Sequence, residues 1–268
     1  MDGSHSRHLG FGVVARAADA ASGLAGLGAE LEALGYDEAW ANDGRHRSGM
    51  TTLAAMAAGS RSIALGVGVA PLDERTPRDI VDELHRVALP PERVMLGVGS
   101  GGSRSLQLVR AGVASLRAML PDVRICVSAL GPRMCRLGGE VADVVLLNWA
   151  TPGRIAWARD RIAEGARLRG RSMPRVACYV RVAVGPDADE RLAAEVARYR
   201  RRPRSYGRLF AEQHPDEIPG VAAQTSDAVA ALLAPYRDAL DSCIVRALPV
   251  GDAPEDWLAV ARAATLRA

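Results

Sequence analysis

Residues 124–150 read RICVSALGPRMCRLGGEVADVVLLNWA. Arg124 to Ser128 is a short β-branched and apolar run, which predicts a strand. Gly131 and Pro132 break the extended chain, and a helix follows them. Asp143 to Asn148 is again β-branched and apolar, a second strand. Strand, helix and strand in immediate succession predict a parallel α/β architecture.

The same alternation extends in both directions. Upstream, Leu9 to Val14 is a strand, and a helix from about Asp19 to Leu34 closes on Gly35. Leu24, Leu27, Leu31 and Leu34 recur at helical spacing, so that helix has one apolar face. Asp37 to Ala41 is the second strand, with a helix over Thr51 to Ala58. Ile63 to Ala70 and Arg93 to Gly99 are the third and fourth strands, each followed by a helix, after Pro77 and from about Ser103 to Leu120. Downstream, Pro152 opens the sixth helix at a favoured first-turn position. Val176 to Val184 and Cys243 to Leu248 are the last two strands, and Pro254 to Arg267 is the closing helix.

Eight such units predict a closed (β/α)8 TIM barrel, a single domain over residues 1–268. An open doubly wound sheet is the alternative, but the first strand–helix turn, Ala15 to Ala18, has no glycine fingerprint for a dinucleotide. Met1 to His8 reads as a flexible tail. The connection after the fourth strand is short for the architecture. Asp187 to Gln224 is an irregular insertion before the eighth strand, expected to lie over the C-terminal face as a lid.

Composition narrows the function classes. Hydrophobic residues make up 49% and charged residues 24%, a globular balance. A net charge of +3 with dispersed basic residues argues against nucleic acid. The run Arg198, Arg200, Arg201, Arg202 and Arg204 is expected to be a solvated helix end. No stretch approaches the roughly 20 apolar residues of a membrane span, and no apolar signal segment opens the chain, so a cytoplasmic location is expected. The chain has no lysine, which excludes Schiff-base chemistry through a lysine amine. Cys126, Cys135, Cys178 and Cys243 form no CxxC pair and are expected to be buried free thiols. The five histidines are dispersed, without metal-ligand spacing, and there is no GxSxG elbow. Chemistry carried by a bound organic cofactor suits these absences.

In a barrel of this kind the site lies on the loops after the strands. Those loops hold Trp40, Asp43 and His46 after strand two and Gly68, Val69 and Ala70 at the end of strand three. Gly97 and Gly99 end strand four, and Ser128, Ala129, Leu130, Gly131 and Arg133 follow strand five. Asn148 and Trp149 follow strand six. Gly97 to Ser103 and Ser128 to Arg133 can each aim backbone N–H groups at an anion from a helix start. Asp43 is either a cofactor or substrate contact or a cap of its own turn. His46 is a general acid/base or an ordinary exposed histidine, and His85 is structural. Trp40 and Trp149 either flank a planar ring or fill the barrel mouth. Asp73, Glu74 and Arg75 tie the third loop by ion pairing, or Arg75 clamps an anion. Arg133 is either a phosphate ligand or a surface arginine.

Gly68 to Pro77, GVAPLDERTP, resembles the third-strand motif of luciferase-like monooxygenases and coenzyme F420-dependent oxidoreductases. Leu34 to Trp40 is similar to their second-strand entry. Ser128 to Met134, Leu137 to Asp143 and Leu146 to Trp149 resemble an actinobacterial deazaflavin-dependent branch. The similarity runs from about Leu9 to Leu168 and returns near Thr225 to Val245, with little of it over Asp187 to Gly220. The resemblance implies a flavin or deazaflavin ring held at the strand ends, behind it a non-proline cis peptide, here Gly68-Val69. It carries the cofactor contacts to Asp43, Gly97, Gly99, Ala129, Leu130 and Gly131, and sets Asn148 and Trp149 at the border of the ring. Many relatives have Asp-His after strand two; here Asp43 is followed by Gly44, which leaves His46 as the candidate proton donor. The implied activity is hydride transfer between coenzyme F420 and a small organic substrate, in a homodimer. FMN-dependent monooxygenation and a non-catalytic accessory barrel are the rivals. F420 has a long anionic tail and predicts a basic groove running from the mouth, whereas FMN needs one phosphate pocket.

Overall fold

The computed structural model describes residues 7–14, 21–43, 48–201, 205–213, 217–251 and 253–265. Strands and helices alternate as β1 (His8–Val13), α1 (Ala21–Ala33), β2 (Glu38–Ala41), α2 (Gly49–Ala58), β3 (Ala64–Pro71), α3 (Pro77–Arg86), β4 (Val94–Gly99) and α4 (Leu106–Met119). The second half follows as β5 (Arg124–Ser128), α5 (Pro132–Val141), β6 (Val144–Asn148), α6 (Pro152–Leu168) and β7 (Arg175–Val184). Then come α7 (Ala188–Arg200), α8 (Ser205–Glu212), β8 (Val221–Ala223), α9 (Ser226–Ala239), β9 (Ser242–Ala247) and α10 (Pro254–Thr265).

All strand pairings are parallel. The order β6-β5-β4-β3-β2-β1-β9-β7, with β6 paired to β7, closes eight strands into a barrel, and β9 is the eighth staff. β8 is extra. Its three residues pair with the far end of β7, Val182 to Val184. A run that short carries no readable period, and sequence reading passed over it. The insertion also holds two helices, α7 and α8. At the N-terminus the expected tail, Met1 to His8, overlaps the first strand by one residue. His8 is the first residue of β1, and its N–H donates to Asp241 O at 2.8 Å. Between β4 and β5 there is one short 3₁₀ turn and α4, so the connection is short as read.

Along each strand alternate residues face the helices or the barrel interior. Outward residues pack with the apolar helix faces into the main core, which includes Phe11, Leu31, Leu53, Leu65, Ile80, Leu116 and Ile162. Inward residues form a separate cluster: Trp40, Met95, Cys126, Val144, Leu146, Ala177, Tyr179 and Ile244. Trp40 is wholly buried. It occupies the space opposite Gly66, where a Cβ would lie 2.0 Å from the indole.

Beneath Trp40 the barrel is closed by a polar clasp. Glu38 is 1% exposed, and its Oε2 accepts from Trp40 Nε1 at 2.8 Å. Its Oε1 accepts from Ser242 Oγ at 2.9 Å and pairs with Arg175. One carboxylate therefore ties β2 to β7 and β9 across the barrel. The four cysteines are free and buried, and burial pushes the Cys135 thiol up to about 11. Among the described residues no helix is long and apolar enough to cross a membrane.

Removing one partner of a buried, hydrogen-bonded ion pair leaves the other charge uncompensated. Glu38→Ala is expected to lower the unfolding free energy by about 3–5 kcal/mol, measured by urea denaturation. A loss below about 1 kcal/mol would show that the clasp does not hold the barrel base.

Candidate functional site

The inward positions that fill the barrel lower down become small or polar at its C-terminal end. They are Gly12 on β1, Asn42 after β2, Gly68 on β3, Gly99 on β4, Ser128 on β5, Asn148 on β6, Arg181 on β7 and Arg246 on β9. Their floor is the ring of Tyr179. An ideal Cβ would lie 2.9 Å from this ring at Gly12 and 2.2 Å from its hydroxyl at Gly68, so the tyrosine spans the barrel from β7 toward β1 and β3. It meets Trp40 edge-on, with centroids 6.1 Å apart. Its buried hydroxyl has no hydrogen-bond partner among the described residues, and burial pushes the phenol up.

A cleft of about 750 Å³ opens on the β3–β5 side of this mouth. Val69, Pro71, Gly99, Ser128, Leu130, Gly131 and Arg133 line it from the strand ends. The Gly68-Val69 peptide is cis, at the position the resemblance implies, and the β3–β4 register shifts between Val67 and Ala70. Tyr206, Arg208, Leu209 and Glu212 of α8 form the opposite wall.

The cleft is built for negative charge. The starts of α2, α3, α4, α6 and α9 are capped by Ser48, Thr76, Ser105, Thr151 and Thr225 side chains. α5 instead starts at Gly131, which has no side chain to accept from the first-turn N–H groups. A Cβ at Gly131 would meet nothing within 4 Å, so this helix start faces open space. Four arginines line the cleft: Arg104, Arg133, Arg154 and Arg208. Arg154 pairs with Glu212 at 3.0 Å and Arg208 pairs with it at 2.5 Å. The bond from Arg208 is the leading cause that holds the Glu212 carboxyl below its ordinary range. Arg104 and Arg133 are exposed and meet no carboxylate among the described residues.

Other expected site residues sit elsewhere. Trp40 lies in the barrel interior under Tyr179 and not at the mouth, because the inward face of β2 must fill the space left by Gly66. Trp149 is 1% exposed and packs on Leu192, Val196, Leu209 and Phe210 of the insertion, so it anchors α7 and α8 and does not border an open cleft. Ala70 and Ala129 are buried, and the Ala129 N–H is used on Leu146 O at 3.0 Å. Gly97 faces the Val67 carbonyl, 2.0 Å from its ideal Cβ, and Gly68 faces Tyr179, so both face inward into protein atoms. Asp43 has both oxygens engaged: Oδ1 accepts from Gly49 N at 2.9 Å, and Oδ2 pairs with Arg75 at 2.6 Å. Arg75 also pairs with Glu83, so it ties loops together. His85 is exposed on α3, and His46 lies outside the described residues.

Asn148 is at the mouth. Its Oδ1 accepts from Arg181, which turns Nδ2 toward the Tyr206 hydroxyl at 2.9 Å. Sequence reading missed Arg181, Arg246, Tyr179 and Tyr206. The first three were within reach, since Ala177-Tyr179-Arg181 and Ser242-Ile244-Arg246 follow the period-2 pattern of an inward strand face. Tyr206 had no such signal.

The sequence model of the luciferase-like monooxygenase family matches residues 8–113 and 106–256. A 5,10-methylenetetrahydromethanopterin reductase of Methanolobus tindarius is 27% identical over an aligned length of 195, with 59% of this chain and 60% of that protein covered. The aligned part thus spans less than two thirds of that relative's length. The structure of a coenzyme F420 dependent tetrahydromethanopterin reductase from Methanopyrus kandleri superposes with a TM-score of 0.72 at 18% identity, covering 96% of this chain and 98% of that one. The oxygenating constituent of 3,6-diketocamphane monooxygenase from Pseudomonas putida, in complex with FMN, superposes with a TM-score of 0.68 at 14% identity and 96% coverage of both chains. At such identities the two structures establish a shared fold.

Asp43 is expected to act as a tether of the β2–α2 loop. Asp43→Ala removes one bond to a backbone N–H and one to a guanidinium, and is expected to lower the unfolding free energy by about 1–3 kcal/mol. A urea midpoint equal to wild type would remove the tether.

Proposed function

The chain belongs to the luciferase-like monooxygenase family, and from that premise we propose that it transfers hydride between coenzyme F420 and a small organic substrate at the barrel mouth. The observation that carries the reading is the basic cleft. It runs from Val69 and Ser128 past the uncapped start of α5 to Arg104 and Arg133, two guanidiniums that meet no carboxylate among the described residues. A long anionic tail matches a groove of this kind, whereas a single phosphate needs only the helix start.

The residues present fit such a group. Val69, Gly99 and Ser128 give a narrow wall at the mouth, since a Cβ at Gly99 would lie 2.6 Å from Ser128 Oγ and 3.3 Å from Val69. These strand ends and α8 would hold a planar ring. Leu130, Gly131 and Arg133 take up the tail. When bound, the deazaflavin supplies a carbon that gives or accepts hydride. The chain's own contribution is positioning and exclusion of water. Leu209 and Tyr206 cover the cleft from α8, and Gln213 fixes that helix to the β6–α6 loop. Its Nε2 donates to Trp149 O at 2.8 Å and its Oε1 accepts from Thr151 N at 2.8 Å. The Tyr206 hydroxyl, oriented by Asn148, is placed to hold or give a proton at the mouth. The insertion serves as the lid over the reaction.

Titration with F420 and, separately, with FMN, followed by tryptophan fluorescence, tests the reading. F420 is expected to bind and FMN to bind at least about tenfold more weakly, a difference of about 1.4 kcal/mol. Tighter binding of FMN would support reduced-flavin monooxygenation instead, and binding of neither would leave an accessory barrel. Gly131 has φ −110° and open space at its Cβ, so Gly131→Phe is expected to fold normally. It is expected to weaken cofactor binding by at least about tenfold. Unchanged affinity in that variant would move the cofactor away from the α5 start.

A further inference from the structure

We propose that Arg181 and Arg246 form an oxyanion seat at the mouth, and that the substrate carries a carboxylate or phosphate group which this seat binds. The proposal rests on the reading of the mouth as the reaction site and adds the chemical class of its substrate.

The two residues are neighbours in register on β7 and β9. Both continue inward strand faces, Arg181 two residues beyond Tyr179 and Arg246 two beyond Ile244, so both guanidiniums point into the same end of the barrel. Arg181 is 3% exposed and Arg246 half-buried. Neither forms an ion pair among the described residues. Arg246 Nη1 donates to Gly12 O at 3.0 Å, and its Nη2 lies 3.5 Å from Asn42 Oδ1. Arg181 donates to Asn148 Oδ1, and its buried Nε–H has no partner among the described residues.

The acid that faces the pair is Glu195 on α7, and it is already spent on Arg198, with contacts of 2.6 and 2.5 Å. The phenols of Tyr179 and Tyr199 face the pair as well. Two like charges are thus held together with neutral hydrogen-bond acceptors only among the described residues, and Glu195, shared with Arg198, offsets them only in part. Burial first, and the Arg181 charge second, push the Arg246 guanidinium down to about 10. An oxyanion between them would relieve the repulsion and accept from planar N–H forks. Access exists. It is on the Arg246 side: Arg246 lines a second cleft of about 680 Å³ together with Arg191, Glu195 and Arg198 of α7, while Arg181, 3% exposed, does not line it.

The arginines are held in place without a ligand. Arg181 stacks on Trp149 with its guanidinium carbon 4.0 Å from the ring centroid, and lies 5.1 Å from that of Tyr199. That restraint fixes the fork and lowers the ordering cost of binding.

The anion titrations use the purified chain without cofactor, so they decide the matter whether or not F420 binds. Benzoate, its neutral isostere benzamide, and inorganic phosphate are each titrated by calorimetry and by tryptophan fluorescence. Benzoate or phosphate is expected to bind at least about tenfold more tightly than benzamide. Arg246→Gln is expected to abolish the difference while F420 and FMN affinities stay unchanged. Preference for benzoate assigns a carboxylate, and preference for phosphate assigns a phosphate-bearing substrate. Equal binding of benzoate and benzamide with none of phosphate, or no binding of any of the three, overturns the proposal in the wild-type chain alone. A loss of F420 or FMN affinity in Arg246→Gln overturns it too, since the pair would then belong to the cofactor's own anion.

Discussion

A closed barrel of eight strands turns every second residue inward, and those side chains must fill the cylinder without a helix to share the work. Trp40 meets that constraint. It takes the volume that Gly66 vacates, and it brings its indole N–H to Glu38, whose other oxygen holds Ser242 and Arg175. The base is therefore sealed by one large ring and one buried charge cluster. Tyr179 lies above Trp40 and ends the filled region. Everything above Tyr179 is free to be a site, because stability has been secured below it. The polar, small-residue ring from Gly12 to Arg246 is the consequence.

That ring is asymmetric. On the β3–β5 side the groups are glycines, a serine and a helix start, so backbone dominates and a ring or tail can approach closely. On the β7–β9 side they are two long cationic side chains. Asn148 stands between the halves and touches both, through Arg181 on one side and Tyr206 on the other. A charge held at the arginines and a proton held at Tyr206 are thus joined by one amide, whose orientation is fixed because only its oxygen can accept from Arg181.

The barrel was legible from the sequence because its signals are local. β-branched runs, Gly35 after a leucine-spaced helix, and Pro132 and Pro152 at helix starts each state their element without reference to the rest of the fold. β8 was not legible, since three residues held only by β7 carry no pattern of their own. The site was partly legible. Val69, Gly99, Ser128, Leu130, Gly131 and Arg133 do converge on one cleft, because loops after parallel strands share one barrel end. Trp40 and Trp149 misled for a physical reason. An aromatic residue near a strand end suits a ring contact and a buried filler equally, and only tertiary packing decides between them. The arginines Arg181 and Arg246 lay inside strands already assigned. Reading those strands for sidedness, and not only for their existence, would have placed both at the mouth.

The insertion is what joins these parts. Trp149 has φ +55°, a left-handed conformation that a bulky residue adopts only when its surroundings fix it. Here Gln213 grips the carbonyl of Trp149 and the N–H of Thr151, and Phe210, Leu209 and Val196 enclose the indole. Arg181 then lies against the same indole. The chain has no lysine, and at this position that matters. A planar guanidinium stacks on an aromatic face and keeps its N–H edge available, whereas an ammonium would have to choose between the ring and its hydrogen-bond partners. Any group that binds the Arg181 edge therefore acts on a side chain clamped to Trp149, and through Trp149 on α7 and α8. One stacked pair, Arg181 on Trp149, therefore joins the mouth of the barrel to the insertion that packs over it.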